Sequence, residues 1–232
     1  MDGTPCWLLT DETGRTVLGR SAAFRWGRGV TCSARMPAIS GYACDSIHLP
    51  YLLDPLHDRY GVTARVWLSE VADPRYQDCN RVSGALWTTR AEFRRPGWVG
   101  GEADARVRLR MALLAAADSH PHAEIRAHLR SLSLEDLAEA ADRIERICED
   151  SGRTGFVPQA VCQAGMAVRW AERREAGGGW LLDMPARKYP MSAWYAALAA
   201  ACACTDLSTY ADMAVSREVD ARRPAELAAS AV

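Results

Sequence analysis

Lysine is almost missing from this chain. Lys188 is the single lysine among 28 basic residues, and the rest are arginines. Alanine is abundant as well, so GC-rich codon usage accounts for the bias better than selection for arginine's planar fork. Charge of one sign is missing too: 29 acidic residues balance the basic ones to a net charge of −1. No global field draws the chain to nucleic acid or anionic lipid, so any such binding needs a local patch. Long apolar runs are absent from the C-terminal part. Its longest, Ala193–Cys204 "AWYAALAAACAC", has twelve residues; it is too short to span a bilayer and reads as a buried helix. No Cys-x-x-Cys occurs among the eight cysteines, so neither a zinc ribbon nor a thioredoxin-type motif is supported. The opening "MDGTPCWLLTDETG" has no basic segment followed by an apolar stretch. A cytoplasmic protein with reduced thiols is therefore expected.

Known catalytic signatures are missing in the same way. There is no Walker A loop, Gly-x-Gly-x-x-Gly, His-Glu-x-x-His or Gly-x-Ser-x-Gly, so none of the reactions they carry is indicated and no cofactor is expected. The absence of any Glu-x-Glu counts against the usual ADP-ribosyltransferase pattern.

What is present suffices for real cores: 232 residues, 49% of them hydrophobic. The first hundred residues are strand-rich. "CWLLT" and "TVLGR" flank "DETG", which predicts a hairpin over 5–20. Alternation in "YGVTARVWLSEV" (60–71) and "GALWTTRAEF" (84–93) predicts two strands, with "DPRYQDCN" as the turn-rich connection. "HLPYLLDPLHDRY" reads as helical turns broken by Pro50 and Pro55. "RRPGWVGGEADAR" (94–106) concentrates Pro and Gly and marks a boundary.

Beyond it the period becomes helical. Val107, Met111 and Leu114 share a face, and Glu102–Arg106 and Asp104–Arg108 are acid-to-base pairs four apart. A helix over 134–150 is expected, with Ser133 as its N-cap, Asp136 as the box partner and Gly152 as its end. Pro158 opens another helix, Ser192 caps the next, and a last one lies near 206–219 before a loosely ordered tail. The expected fold class is α+β: an α+β domain over 1–98 with an antiparallel sheet, then an all-helical domain over 103–232.

The pieces "GYAC" (41–44), "LPYLLDPL" (49–56), "ARVWLSEV" (64–71), "DCNR" (78–81) and "VSGALWTTRAEF" (82–93) appear in a familiar order. Residues 5–95 resemble an uncharacterised domain family of bacteriophages and prophages, often placed at the N-terminus of longer proteins. The family's usual Gly-aromatic-His-x-Cys is altered here, since Ala43 alone separates Tyr42 from Cys44. The resemblance implies a phage or mobile-element setting. It implies no reaction and does not reach residues 100–232.

Several clusters are candidates for chemistry. In "SGYACDSIHLP", Cys44, Asp45 and His48 fall within five positions, and His48 or Cys44, with Arg81, could serve a small group-transfer enzyme; the alternative is a turn that closes a strand. Cys32, Cys44, His48 and His57 could hold a structural zinc, although paired chelating spacings are missing. His122, Glu124 and His128 gather at a helix start, where solvation is the plainer reading. Arg90, Arg94, Arg95, Arg106, Arg108 and Arg110, with Trp87 and Trp98 nearby, could meet phosphate and stack on bases. Interleaved acids favour a salt-bridged face instead. No complete catalytic set emerges. The eight tryptophans belong to a residue type enriched at interface hot spots. The expectation is therefore a phage accessory protein that binds a host or phage protein, with inhibition of a CRISPR-type defence complex as a candidate role. No membrane partner is expected.

Overall fold

The computed structural model describes residues 3–18, 22–33, 40–42, 45–56, 60–77, 80–153, 158–175, 189–203 and 207–220. The chain is α+β, with an antiparallel sheet in the N-terminal half and helices in the C-terminal half. The strands are β1 (Thr4–Thr10), β2 (Arg15–Leu18), β3 (Ala22–Arg25), β4 (Thr31–Ser33), β5 (Ser40–Gly41), β6 (Arg65–Gln77) and β7 (Val82–Phe93). The main sheet runs β1-β6-β7-β4, and β5 follows β4 along the same edge of β7.

The segment around Gly41 bridges β7 and β1. Ser40 and Gly41 pair with Ser83 and Val82 of β7, while Tyr42 exchanges two backbone hydrogen bonds with Trp7 of β1, at 2.7 and 2.9 Å. The sheet is thereby drawn toward a closed barrel at this end, which protects both edges. Cys6, Leu8, Cys32, Trp67, Val71, Val82 and Trp87 fill its inner face, together with Trp26. The indoles keep their polar handles satisfied. Trp26 donates to Thr16 Oγ1, Trp67 to Thr10 Oγ1 and Trp87 to the Gly84 carbonyl, at 2.8, 3.2 and 3.0 Å.

Two strand expectations change. The turn at Asp11–Gly14 forms as expected: the Asp11 carboxylate accepts from the Thr13 and Arg15 amides at 2.8 Å. However, β1 does not pair with β2. It pairs with β6 over Thr4–Thr10, and the hairpin is β2–β3. The alternation Cys6, Leu8, Thr10 matches Trp67 and Ser69 on one face, and long-range burial outweighs the local turn. The second change is in "DPRYQ", which lies inside β6 rather than in the connection. Register shifts near Pro74 let the strand pass, with Asp73 at φ 54°.

The helices are α1 (Leu49–Leu53), α2 (Asp104–Ser119), α3 (Ala123–Ser131), α4 (Leu137–Arg153), α5 (Gln159–Glu175), α6 (Met191–Cys202) and α7 (Ser208–Val215). Pro50 sits in the first turn of α1 and opens it rather than breaking it. Helix α4 begins after Asp136, not after Ser133. The Asp136 carboxylate accepts from the Glu139 amide at 3.0 Å and so is the cap. Gly152 lies within the helix. Helix α2 is buried from Val107 to Ala117, arginines included, and neighbours α3, α5, α6 and α7. It is a central helix rather than an amphipathic surface one.

The two halves share a core. Leu9 and Val66 of the sheet, Tyr51 and Leu52 of α1, Val107 and Met111 of α2, Ala197 of α6 and Ala211 of α7 belong to one buried cluster. A second cluster joins α2 to α3, α4, α5 and α6. No helix among the described residues is long and apolar enough to cross a membrane.

Candidate functional site

A dense polar constellation lies where α1, α2 and the start of α6 meet. Asp54 follows α1 directly and is 1% exposed. Its Oδ2 accepts from the Tyr189 hydroxyl at 3.0 Å and from the amides of Gly61 and Tyr60 at 3.2 and 3.3 Å. Burial raises its pKa above the ordinary carboxylate value, against the pull of these donors and of Arg108. The Tyr189 hydroxyl is pushed strongly upward, by burial first and by the Asp54 carboxylate second. It is a standing donor, not a proton source at neutral pH.

Arg108 stands beside this pair. It is held by Asp104 one turn earlier and donates to the Tyr51 carbonyl at 2.8 Å. Its Cζ lies 5.0 Å from the Tyr189 ring centroid and 5.7 Å from that of Trp98. A cleft of about 360 Å³ opens over Arg108 and Tyr189, with Glu102, Asp104, Arg174 and Ser192 on its walls. Charges of both signs line it. The network binds the elements to one another through donors and acceptors that already face each other. That arrangement positions α1 and α6 on α2 and supplies no poised nucleophile.

His48 is half-buried at the entrance to α1. Its Nδ1 accepts from Trp98 Nε1 at 3.0 Å, which places the proton of the neutral ring on Nε2. Burial lowers its pKa, opposed by Asp212 and Asp220. Ser46, two residues earlier, donates to the Asp212 carboxylate. The turn at 45–48 therefore docks onto α7 and the stretch before α2. Cys44 and His57 lie outside the described residues. Arg81 is half-buried just before β7.

The two described zinc candidates, Cys32 and His48, lie apart. Cys32 faces the inner side of the sheet against Trp87 and Val71, its thiol pKa raised by burial, whereas His48 packs on the helical side against Trp98. Among the described residues no group of three or more His, Cys, Asp or Glu could hold a metal ion. Glu124 and His128 share an open groove with Arg143, Arg146 and Asp150 of α4, while the His122 ring lies tilted beside that of His120, with 5.4 Å between centroids.

The arginine candidates separate into four environments. Arg108 and Arg110 are 2% and 1% exposed, turned inward and ion-paired to Asp104 and Glu218. Neither offers its guanidinium to a phosphate, and for these two the nucleic-acid expectation is corrected. Arg90 pairs with Glu70 across the β6–β7 ladder. Arg94 and Arg95 line a surface pocket with Phe93, where Arg95 donates to the Val62 carbonyl at 2.7 Å. Arg106 is half-buried, and its Nε has no hydrogen-bond partner.

Sequence reasoning missed Asp54, Tyr189 and a buried His120–Ser151 contact of 3.1 Å. One signal was available for Asp54: a carboxylate inside the apolar run "YLLDPL" must find donors when buried. Tyr189 and Ser151 carry no local signature. No family model, no curated protein and no solved structure matches this chain.

Proposed function

We propose that this protein is a phage or mobile-element accessory protein that acts by binding a host protein, with a defence complex as the candidate target. The observation that supports this reading most is the overhang of β6. Strand β1 begins at Thr4, opposite Val71. Beyond Val71 the outer edge of β6 carries no strand among the described residues, and every residue from Asp73 to Gln77 is exposed. Tyr76 is 56% exposed, and Leu86 on the paired strand is 38% exposed. A hairpin that projects exposed apolar side chains suits recognition of a protein partner, in which a large aromatic anchor supplies much of the affinity. Pro74 and the nearby register shifts limit indiscriminate pairing along the same edge. The resemblance of residues 5–95 to phage-associated domains adds the setting.

The test compares the full chain with its Tyr76→Ala/Leu86→Ser variant as bait in host lysate. Both substitutions are at the surface, so folding should change by no more than about 0.5 kcal/mol each. The expected result is a stoichiometric host protein retained by the parent chain and lost by the folded variant. A parent chain that retains no stoichiometric partner, or a variant that retains the same one, counts against the reading.

A further inference from the structure

We propose that Cys148 and Cys162 form an oxidation site, a thiol pair that a hydroperoxide converts into a disulfide clamping α4 to α5. The inference does not depend on the proposed partner. Two observations place the cysteines together. A Cβ added at Gly165 would stand 3.0 Å from Ile144 Cγ2, so α4 and α5 approach unusually closely there. Cys148 lies one turn beyond Ile144, and Cys162 lies one turn before Gly165. They occupy the next layer of the same contact. The Cys162 thiol is near enough to Cys148 to help raise its pKa. Contacts that run 144 to 165 and 148 to 162 also make the helices antiparallel. A disulfide needs Cα atoms about 4.4–6.8 Å apart, and a glycine-lined helix contact is compatible with that separation.

Exposure decides which sulfur reacts first. Cys162 is exposed and Cys148 half-buried, whereas Cys6 and Cys32 are shut inside the sheet. Burial, with Cys162 and then Glu145 as further causes, pushes the Cys148 thiol up to about 12. Cys148 therefore remains protonated while Cys162 meets the oxidant. Cys162 sulfur attacks the peroxide O–O bond, which gives Cys162 sulfenic acid and releases an alcohol, or water from hydrogen peroxide. Cys148 sulfur then displaces the hydroxyl from Cys162, and its proton leaves with that hydroxyl as water. Two electrons pass from the thiol pair to the peroxide. The disulfide reverts when a dithiol reductant is supplied.

The test treats the reduced full chain with hydrogen peroxide, caps remaining thiols with an alkylating agent and maps the peptides by mass spectrometry. The expected product joins the Cys148 and Cys162 peptides with loss of two hydrogens and reverts in dithiothreitol. The melting temperature should rise by roughly 5–10 °C on oxidation, and the Cys162→Ser protein should show neither the link nor the rise. Cys162 recovered as sulfinic acid, joined to Cys202 or to another copy, or left reduced, overturns the proposal. These readouts on the parent chain decide the matter even if the variant folds poorly.

Discussion

Arg110 Nε donates to Glu218 Oε1 at 2.7 Å with the two side chains 2% and 1% exposed. The partners stand 108 residues apart, one on the central helix α2 and the other in the wide turn that follows α7. Arg217 next to it donates to the Arg130 carbonyl at 2.7 Å. These bonds fix the end of the described chain to its middle. A buried pair gains little over apolar packing, but one charge left behind is costly. Glu218→Ala should therefore lower the unfolding free energy by about 3–5 kcal/mol. Arg110→Met/Glu218→Leu should recover most of that loss. Urea titration of the two variants beside the parent measures both effects; a single variant as stable as the parent would show that the pair does not hold α7 in place.

Gly41 tests the joining of the sheet edges. A Cβ there would meet the Trp87 ring at 2.8 Å and the Trp7 carbonyl at 2.9 Å, and that same carbonyl accepts from the Tyr42 amide. Only a glycine passes between them without displacing the central tryptophan of the inner face. Gly41→Ala should cost about 1–3 kcal/mol through overpacking and change the tryptophan emission. Thermal melts followed by fluorescence report both. Parent-like values would mean that Trp87 has room to shift and that the 40–42 segment does not depend on this contact.

The fold class could be read from the chain because burial and period agree along most elements. Leu86 and Trp87 alternate out and in, and the α4 stripe of Leu137, Ala140, Ala141 and Ile144 is buried as its spacing implies. Pairing was not legible. "DETG" does turn the chain, yet the register of β1 is set by Trp67 and Val71, residues about sixty positions away. The helical reading of 104–117 found the helix but not its role, since Arg108 and Arg110 look like surface charge until Asp104, Tyr51 and Glu218 surround them. The candidate site was legible in His48 and in the Asp104–Arg108 pair. The His48 neighbours Trp98 and Asp212 come from remote segments and carry no spacing signal. "SGYACDSIHLP" first suggested a nucleophile and base. Cys44 lies outside the described residues; the described part joins two strands at Gly41 and Tyr42 and docks a helix entrance through Ser46 and His48.

Asp54 gives a pH signature. Its folded pKa is raised above the ordinary value near 3.8. Between the two values the folded chain holds a proton that the unfolded chain has lost. Its contribution to stability is therefore full below about pH 3.9 and declines as pH rises through the folded value. Asp54→Asn keeps an acceptor for Tyr189, Tyr60 and Gly61 while removing the ionisation. Relative to this variant, the parent should lose stability as pH is raised from about 4. Urea midpoints for the pair, measured across that range, should diverge in that direction; a constant difference would show that Asp54 titrates as it does in the unfolded chain.

His120 predicts the opposite slope. It is 2% exposed. Its Nδ1 accepts from the His122 amide at 3.2 Å, and its Nε2 faces the Ser151 hydroxyl at 3.1 Å. One nitrogen is committed as an acceptor, so the ring is built in neutral and Nε2 carries the hydrogen toward Ser151. Burial, with His122 and Arg126 nearby, lowers its pKa from the ordinary 6.5. His48 is lowered as well, chiefly by burial. A lowered histidine contributes stability that is present above the unfolded value and lost as pH falls toward the folded one. Acidification below about pH 6.5 should therefore destabilise the protein. In His120→Asn the side-chain oxygen can still accept from the His122 amide, while the titrating ring is gone. That variant should be less stable at pH 8, having lost the Ser151 contact, and should fall less steeply between pH 7 and 5. Denaturation midpoints of parent and variant over this range measure the difference in slope. Parallel curves would mean that His120 takes up its proton in the folded chain as readily as in the unfolded one, and that the Ser151 contact survives with a charged ring.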